Sequence, residues 1–416
     1  MALADYTAAF RSRKIGLLLL LGFASGLPLA LTAGTLQAWL AAESMDIVAI
    51  GWFALVGQPY TYKFLWAPLM DRYVPPFLGR RRGWLLVTQV LLAAAIAFMG
   101  TLSPRDSVWL LGATALTVAF LSASQDIVFD ALRADWLERD ERGAGAAVSV
   151  FGYRIAMLVS GAGVLILADQ WLGWHAAYWL MAALMGVGMI ATWFVVEPEI
   201  KGGAPKTLDA AVVKPFSEFF TRKGAIALLL LVVLYKLGDA FAGNLTTTFL
   251  LRGPGFSLTE VGAFNKGFGV AATIVGALAG GALMVKMRLY RALMLFGVLQ
   301  AFTNLGFMLL AGAGKSYPLM VAVVGMENLC GGMGTAAYVA LLMALCDRRF
   351  SATQYALLSA LSAVGRVYVG PAAGYLVAGF GWEIFFLFTF LISLPGLALL
   401  AWMKQRIEQL DNATSG

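Results

Sequence analysis

The sequence predicts an all-α polytopic membrane protein, on the evidence of its composition, its apolar stretches and the distribution of its charges. Of its 416 residues, 60% are hydrophobic and 13% are charged. A soluble domain carries about 25% charged residues, so this chain has too few charges to cover a surface that faces water. The composition also excludes a disordered chain and a small disulfide-linked scaffold.

Twelve stretches are long and apolar enough to cross a bilayer, which takes about 20 residues. We number them span 1 to span 12 in chain order: 15–41, 48–70, 83–103, 107–131, 143–168, 174–196, 224–251, 259–284, 290–313, 317–345, 353–379 and 381–403. The longest connection is polar and divides the spans equally. We therefore expect a six-helix bundle over 1–197, a cytoplasmic linker over 198–223 and a second six-helix bundle over 224–416, around a central cavity.

The basic residues predict the orientation of the chain. Arg11, Arg13 and Lys14 precede an apolar run too long for a secretory signal, so span 1 is expected to be a permanent helix. With the N-terminus inside, 22 of the 30 Lys and Arg residues fall in cytoplasmic segments, and the outer loops hold only Arg105, Arg252 and Lys315. Because cytoplasmic loops carry the excess of Lys and Arg, both termini are predicted to be cytoplasmic.

Two short patterns recur in both halves of the chain. One is an arginine followed by a glycine-rich stretch and a Gly-Trp pair, and the other is an aromatic residue followed by leucine. They occur as Arg154 with Gly173-Trp174, Arg366 with Gly381-Trp382, Trp39-Leu40 and Phe249-Leu250. The recurrence indicates a transporter built from two parallel six-helix repeats. The alternative is that Gly and Trp recur by chance in membrane helices.

The loop after span 2 resembles the D-R-x-G-R-R loop of the major facilitator superfamily. Asp71-Arg72-Tyr73 is followed by Gly79-Arg80-Arg81-Arg82, with an insertion between the two parts. The resemblance implies that this loop latches neighbouring helices by charge contacts, so it assigns a cytoplasmic gate to Asp71, Arg72, Arg80 and Arg81. The alternative is ordinary positive charge on the cytoplasmic side.

Three further segments are similar to the AmpG-type muropeptide permeases of that superfamily. They are G-F-A-S-G-L-P over 22–28, A-P-L-M-D-R-Y over 67–73 and S-Q-D-I-V-F-D-A over 124–131, the last of which also occurs in the related acetyl-CoA transporter branch. The resemblance implies import of anhydro-muropeptides from the periplasm across a bacterial inner membrane, driven by protons. It also implies a role in peptidoglycan recycling and hence a link to beta-lactamase induction.

Two other functions stay open at this point. One is transport of another large anionic solute such as acetyl-CoA, and the other is a membrane receptor or scaffold without flux. Charged residues within the spans weigh against a scaffold, because each costs at least a few kcal/mol to insert and is expected to face a cavity or a partner.

Four carboxylates within the spans are candidates for proton coupling: Asp126, Asp130, Glu327 and Asp239. Asp126 and Asp130 are four residues apart and share one helix face. Two neighbouring carboxylates oppose each other's ionisation, so one of them can hold a proton. We expect Asp126 to pair with Arg154 on span 5, and the alternative is that either aspartate ties down the Arg80–Arg82 loop.

Basic and polar residues within the spans are candidates for binding an anionic sugar-peptide. The predicted set is Lys63, Gln58, Tyr60, Gln125, Arg154, Lys236, Lys266, Asn265, Asn328 and Arg366. Arginine suits a carboxylate because its planar fork binds two oxygens. The alternatives are that Lys236 and Asp239 only neutralise each other, and that each arginine only neutralises a buried acid. Glycines behind Glu327 are expected to loosen its helix beside the cavity.

No sequence motif indicates catalysis. The chain has no G-x-x-x-x-G-K-[ST] loop for ATP and no His/Cys cluster or H-E-x-x-H for a metal. We therefore expect a protein that is not an enzyme and has no cofactor and no metal. The expected partners are a muropeptide, protons and the lipid bilayer, with no nucleic acid, and the expected state is a monomer.

Overall fold

The structure is a computed structural model that describes residues 13–137, 142–196, 221, 224–284, 286–345 and 351–414. Throughout these ranges the regular secondary structure is helical, and the described chain contains no strand. The predicted linker lies almost entirely outside the described residues.

Within the described residues, the first half of the chain contains ten α-helices. They are α1 (Arg13–Thr32), α2 (Gly34–Ala42), α3 (Ile47–Trp52), α4 (Gln58–Tyr62), α5 (Ala67–Arg72), α6 (Arg80–Met99), α7 (Val108–Trp136), α8 (Arg142–Leu158), α9 (Val164–Leu167) and α10 (Gly173–Phe194). The 3₁₀ segments Phe53–Gly57 and Lys63–Leu65 and the π-helical segments Val159–Gly163 and Ala168–Leu172 connect some of them.

The described part of the second half contains eight α-helices and one π-helical segment, Val261–Phe268. The α-helices are α11 (Ala225–Tyr235), α12 (Leu237–Arg252), α13 (Leu258–Glu260), α14 (Gly269–Met284), α15 (Leu289–Ala313), α16 (Tyr317–Ala344), α17 (Ser351–Trp402) and α18 (Lys404–Thr414).

Within the described ranges, nine helical stretches are long and apolar enough to cross a bilayer. Two of them, Val148–Phe194 and Leu358–Trp402, have 47 and 45 residues, which is enough for two crossings each. Span 2 is not among the nine because it contains no long continuous helix. The twelve predicted spans are thus accounted for by eleven crossings in these stretches and the broken span 2.

Span 2 is divided into short helical pieces rather than forming one helix over 48–70. Its α-helical pieces α3, α4 and α5 alternate with the two 3₁₀ segments. Prolines stand in the first turn of α4 and of α5. Proline has no backbone N–H and clashes with the preceding turn, so it is tolerated at the start of a helix and interrupts a longer one. The break places Lys63 in a 3₁₀ segment.

Side-chain caps begin two of the short helices near the loops. Asp46 Oδ2 accepts hydrogen bonds from the N–H groups of Val48 at 2.9 Å and Ala49 at 3.1 Å, at the start of α3. Ser257 and Glu260 form a capping box at the start of α13. Such caps satisfy N–H groups that have no partner within the helix.

Residue contacts divide the chain into two compact units. One comprises Met1–Glu43 with Val56–Ala204, and the other comprises Ser44–Leu55 with Pro205–Gly416. In the first unit, α1, α6 and α7 bury an apolar core that includes Leu18, Leu85 and Phe129. In the second, α11, α15 and α16 bury a core that includes Leu231 and Phe296.

A glycine breaks the helix at the same point of each half. Gly173 has φ 67° and ψ 173°, and Gly381 has φ 76° and ψ 177°. Only glycine adopts this conformation without strain. Each glycine separates two spans that would otherwise form one long helix, so the Gly-Trp pairs predicted as repeat markers occupy equivalent places in the two units.

The aromatic contacts around these glycines also repeat. Trp39 stacks on Trp174 at a ring distance of 5.7 Å in the first unit, and Phe249 lies 5.2 Å from Trp382 in the second. This equivalence supports the internal repeat inferred from the sequence. Because Trp39 is only 1% exposed, it belongs to the core and cannot stack on a ligand in this conformation.

Helices α1 and α8 approach each other closely at glycines. A Cβ atom on Gly152 would lie 2.2 Å from the backbone oxygen of Leu19, and one on Gly22 would lie 2.3 Å from the backbone oxygen of Ser149. Neither backbone atom can move aside as a flexible side chain would, so the helices can pack at this distance only with glycine.

We expect Gly152→Ala to lower the stability of the purified protein by about 1–3 kcal/mol, because the added methyl group forces α1 and α8 apart. The measurement is the midpoint of thermal unfolding in detergent. Gly186→Ala is the matched control, since a Cβ atom at Gly186 meets nothing within 4 Å. Equal midpoints for the two variants would contradict the packing described here.

Candidate functional site

A cavity of about 450 Å³ lies within the second unit. Its volume falls in the usual range of small-molecule pockets. Five of the residues predicted from the sequence line it, namely Lys236, Asp239, Glu327, Asn328 and Arg366, together with Thr273, Gln300, Thr335, Tyr338, Ser359, Ser362 and four largely apolar neighbours. The structure thus brings together side chains from five separate spans.

Lys236 lies at the break between α11 and α12 and has two partners. Its Nζ is 3.1 Å from Oδ2 of Asp239 and 3.2 Å from Oε1 of Gln300. Asp239 stands in the first turn of α12, where a negative charge is favourable. The predicted Lys236–Asp239 pair is therefore formed, and it is joined by an amide that the sequence analysis did not single out.

Glu327 is held on α16 by hydrogen bonds that extend to α14. Its Oε2 accepts from Asn328 Nδ2 at 2.8 Å, and Asn328 Oδ1 accepts from Thr273 Oγ1 at 3.0 Å. The glycines that follow do not loosen this helix, contrary to expectation. A Cβ atom on Gly332 would lie 2.2 Å from the backbone oxygen of Thr273, so the glycines allow α14 and α16 to pack closely.

Lys266 and Asn265 lie outside the lining of this cavity. Both belong to the π-helical segment Val261–Phe268 of span 8. Lys266 is near enough to interact electrostatically with Glu327. Wide π turns within α-helices are frequent at functional sites. Lys266 can therefore act on the cavity through Glu327 but does not line it in this conformation.

Arg366 is the cavity-lining base that forms no ion pair with a carboxylate in the described part of the chain. It lies on α17 on the same face as Ser362 and Ser359, one and two turns away. Its backbone oxygen accepts from Asn244 Nδ2 at 3.2 Å, and its guanidinium donates to no other residue in the described ranges. The cavity thus contains a paired base, Lys236, and a base that is available to an anion.

In the first unit, Asp126 accepts a hydrogen bond from Ser25 of α1. The expected pairing with Arg154 is wrong: Arg154 is exposed, and its NH1 lies 3.7 Å from the sulfur of Met157. Asp126 and Arg154 lie at similar distances in sequence from the connection between spans 4 and 5, and hence at similar depth, but this does not fix which way the side chains point. The basic residue that interacts electrostatically with Asp126 is Lys63.

Asp130 has a different environment from Asp126. Its Oδ1 is 3.0 Å from Arg133 NH2, its Oδ2 is 4.0 Å from Lys63 Nζ, and its side chain is 53% exposed. Lys63 therefore interacts electrostatically with both aspartates. Of the two aspartates, Asp126 is therefore the half-buried one, and Asp130 is exposed and paired with Arg133.

The other predicted ligands of the first unit differ in how far they are buried. Gln125 is buried with 1% exposure, and its Oε1 has no hydrogen-bond partner among the described residues. The hydroxyl of Tyr60 is also shielded from water, whereas Gln58 is half-buried at the start of α4. Gln125 is therefore closed off from a ligand in this conformation.

The two arginines marked as repeat partners do not lie at equal depth. Arg154 precedes Gly173 by 19 residues, and Arg366 precedes Gly381 by 15 residues. Four residues of helix correspond to about 6 Å. The two guanidinium groups are therefore offset by about one helical turn when each unit is measured from its own hairpin.

Arg81 of the predicted gate and its neighbour Arg82 bind neighbouring helices near their ends. Arg81 Nε lies 2.9 Å from Oδ2 of Asp135 on α7, and Arg82 donates to the backbone oxygens of Thr192 and Trp193 at the end of α10. Neither Asp126 nor Asp130 is the partner of Arg81, and Asp135 was missed. It lies beyond the predicted end of span 4 because α7 continues to Trp136.

The other residues of the predicted gate make no described ion pair with a neighbouring helix. Arg72 lies over the ring of Tyr73 at 5.9 Å, and Nε of Arg80 is buried without a hydrogen-bond partner in the described ranges. The side chain of Asp71 is outside the described structure. Among the described contacts of this loop, those that reach neighbouring helices are made by Arg81 and Arg82.

Membrane-spanning helices that carry charged and polar side chains to an internal cavity define a membrane transporter rather than an enzyme. The sequence model of the Major Facilitator Superfamily matches residues 18–353. The chain belongs to the Major Facilitator Superfamily.

Two curated relatives are similar over nearly the whole chain. The anhydromuropeptide permease of Escherichia coli (strain K12) is 59% identical over 405 residues, which are 97% of this chain and 82% of that protein. A putative transporter, AmpG 4, of Rickettsia felis is 34% identical over 411 residues, which are 97% of this chain and 99% of that protein.

Solved structures share the fold at low sequence identity. A bacterial homolog of the human lysosomal transporter Spinster, in an inward-facing and unoccupied conformation, has a TM-score of 0.72 and 15% identity over 96% of both chains. A POT family transporter in complex with 5-aminolevulinic acid has a TM-score of 0.75 and 12% identity over 95% of this chain and 96% of that one. The prediction of a major facilitator fold is confirmed.

Proposed function

We propose that the protein imports anhydro-muropeptides from the periplasm to the cytoplasm together with protons, as a monomer in the bacterial inner membrane. The 59% identity to the E. coli anhydromuropeptide permease carries this proposal. The similarity to that permease does not favour the two alternative functions, transport of acetyl-CoA and a scaffold without flux. The cavity chemistry agrees with an anionic substrate that also has amide and hydroxyl groups.

The cavity of the second unit is the proposed site for part of the muropeptide. Arg366 is available to a carboxylate, and Ser359, Ser362, Thr335 and Asn328 supply hydroxyl and amide groups for sugar or peptide. Charge-assisted hydrogen bonds from arginine to a carboxylate are among the stronger contacts available to a ligand. This arrangement suits a peptide stem that ends in a carboxylate.

Proton coupling is assigned to Asp126. When ionised, it attracts Lys63 and accepts from Ser25. When protonated, it no longer attracts Lys63, which lies 4.0 Å from the exposed Asp130 and can then bind a carboxylate of the substrate, so that the proton and the anion are carried together. A ligand shifts a conformational equilibrium only through its different affinity for the two states, and the change of charge at Asp126 supplies such a difference. Glu327 is the second candidate, with Asp239 and Asp130 after it.

Uptake into membrane vesicles tests this function. Right-side-out vesicles report import, and inverted vesicles report transport in the opposite direction. Labelled anhydro-disaccharide tripeptide is offered with and without an imposed pH gradient, and labelled acetyl-CoA is offered in parallel. We expect muropeptide to accumulate only with the gradient. Accumulation of acetyl-CoA without muropeptide would select the other transport function, and binding without any uptake would indicate a receptor.

Both termini are proposed to be cytoplasmic, with Asp71, Arg72, Arg80 and Arg81 on that side as the gate. Single cysteines at Asp106 and at Arg288, both exposed, test this in a background that lacks Cys330 and Cys346. We expect a membrane-impermeant maleimide to label position 106 from outside intact cells and position 288 only after lysis. The reverse pattern would overturn the orientation.

A further inference from the structure

We propose that Gln300 is a positioning residue, which holds the ammonium group of Lys236 so that one of its N–H bonds points into the cavity at an oxygen of the ligand. The inference rests on the proposed function, because it names a determinant of substrate binding at that same site. The ligand group it requires is a carbonyl or carboxylate oxygen.

The contacts of Lys236 leave one donor for the ligand. An ammonium group has three N–H bonds and accepts none. One N–H is directed to Oδ2 of Asp239 at 3.1 Å and another to Oε1 of Gln300 at 3.2 Å. Because Lys236 also lines the cavity, its third N–H is free to point into that space.

Gln300 can perform this task because its own side chain is confined. It lies on α15 with 6% exposure. A Cβ atom on Gly334 of α16 would lie 2.6 Å from Gln300 Oε1, and one on Gly331 would lie 3.1 Å from Gln300 Nε2. The amide therefore occupies a slot that exists only because positions 331 and 334 have no side chain.

The amide also suits the charge of the site. Asp239 already offsets the positive charge of Lys236. A second carboxylate at position 300 would leave the ammonium surrounded by negative charge, whereas an amide oxygen orients it through a dipole. Gln300 thus fixes the direction of the donor and leaves the net charge of the pair unchanged.

The test measures binding of labelled anhydro-disaccharide tripeptide to the purified protein in detergent, and the rate of its uptake into liposomes. Gln300→Met, which has nearly the same shape and no acceptor, should raise Kd and KM about 10-fold and leave the maximal rate within about twofold. Gly334→Ala, which blocks the slot, should act in the same direction with Gln300 intact. Gly281→Ala is the control, because a Cβ atom there meets nothing within 4 Å.

A double-mutant cycle shows whether Gln300 acts through Lys236. If it does, Gln300→Met should have no further effect on Kd in the Lys236→Met background. If the double variant instead raises Kd by the product of the two separate fold-changes, the proposal is overturned. An unchanged Kd in both Gln300→Met and Gly334→Ala would also overturn it. If the parent protein itself binds no muropeptide, the proposed function fails instead, so the two failures are distinguishable.

Discussion

Asp126→Asn is expected to reduce gradient-driven uptake of muropeptide to the level measured without a gradient. Asparagine has nearly the same size and can still accept the hydrogen bond from Ser25. It cannot ionise, so it mimics the protonated carboxylate and removes the step in which Lys63 is released. Binding and exchange of muropeptide across the membrane should be largely retained. The measurement is uptake into vesicles at an imposed pH gradient, compared with exchange at equal pH.

Asp130→Asn is the matched control for this change. Asp130 lies one turn away on the same helix, but it is 53% exposed and paired with Arg133 at 3.0 Å. Its loss should weaken uptake far less than the loss of Asp126. If Asp126→Asn accumulates muropeptide as well as the parent protein, Asp126 is structural, and the proton must be sought at Glu327, Asp239 or Asp130.

Arg366→Gln is expected to raise the KM for muropeptide uptake about 10- to 100-fold. A hydrogen bond between a charged pair contributes about 1.5–3 kcal/mol, and each 1.4 kcal/mol is a factor of ten in affinity. Since Arg366 has no carboxylate partner among the described residues, its removal leaves no buried charge unpaired. The substitution should therefore lower the affinity for the ligand and leave the stability of the protein largely unchanged.

The control for Arg366 is Arg291→Gln, which removes an exposed arginine of α15 that does not line the cavity. Its KM should stay within twofold of the parent value. Arg366→Lys should recover only part of the affinity, because lysine lacks the planar fork. A parental KM in Arg366→Gln would show that the anionic group of the substrate binds elsewhere.

The membrane crossings could be predicted because they follow directly from hydrophobicity and length. The bilayer requires about 20 apolar residues for each helix, and this requirement is local in sequence. The repeat could also be predicted, because Gly173 and Gly381 need a backbone conformation that only glycine adopts without strain. Span 2 was harder to predict, since its hydrophobicity resembles that of a regular helix and only its prolines indicate the breaks.

Side-chain partners could not be derived from the sequence, because they depend on how each helix is rotated. Asp126 and Arg154 have similar depths, yet Asp126 accepts from Ser25, which entered the sequence analysis only as part of the segment 22–28. Gln300 gave the same signal as Gln58 and Gln125, a polar amide in an apolar span, but nothing in the sequence linked it to Lys236. Those two positions are 64 residues apart in sequence, and only the fold brings them into contact.

Proton movement tests the central claim of coupled import most directly. The purified protein is placed in liposomes that contain a pH-sensitive dye, and labelled muropeptide is added outside with equal pH on both sides and with the membrane potential held at zero. We predict that the lumen acidifies as the label enters. With Asp126→Asn neither signal should appear, because the lumen contains no muropeptide against which the label could exchange. Entry of the label without acidification would contradict the account.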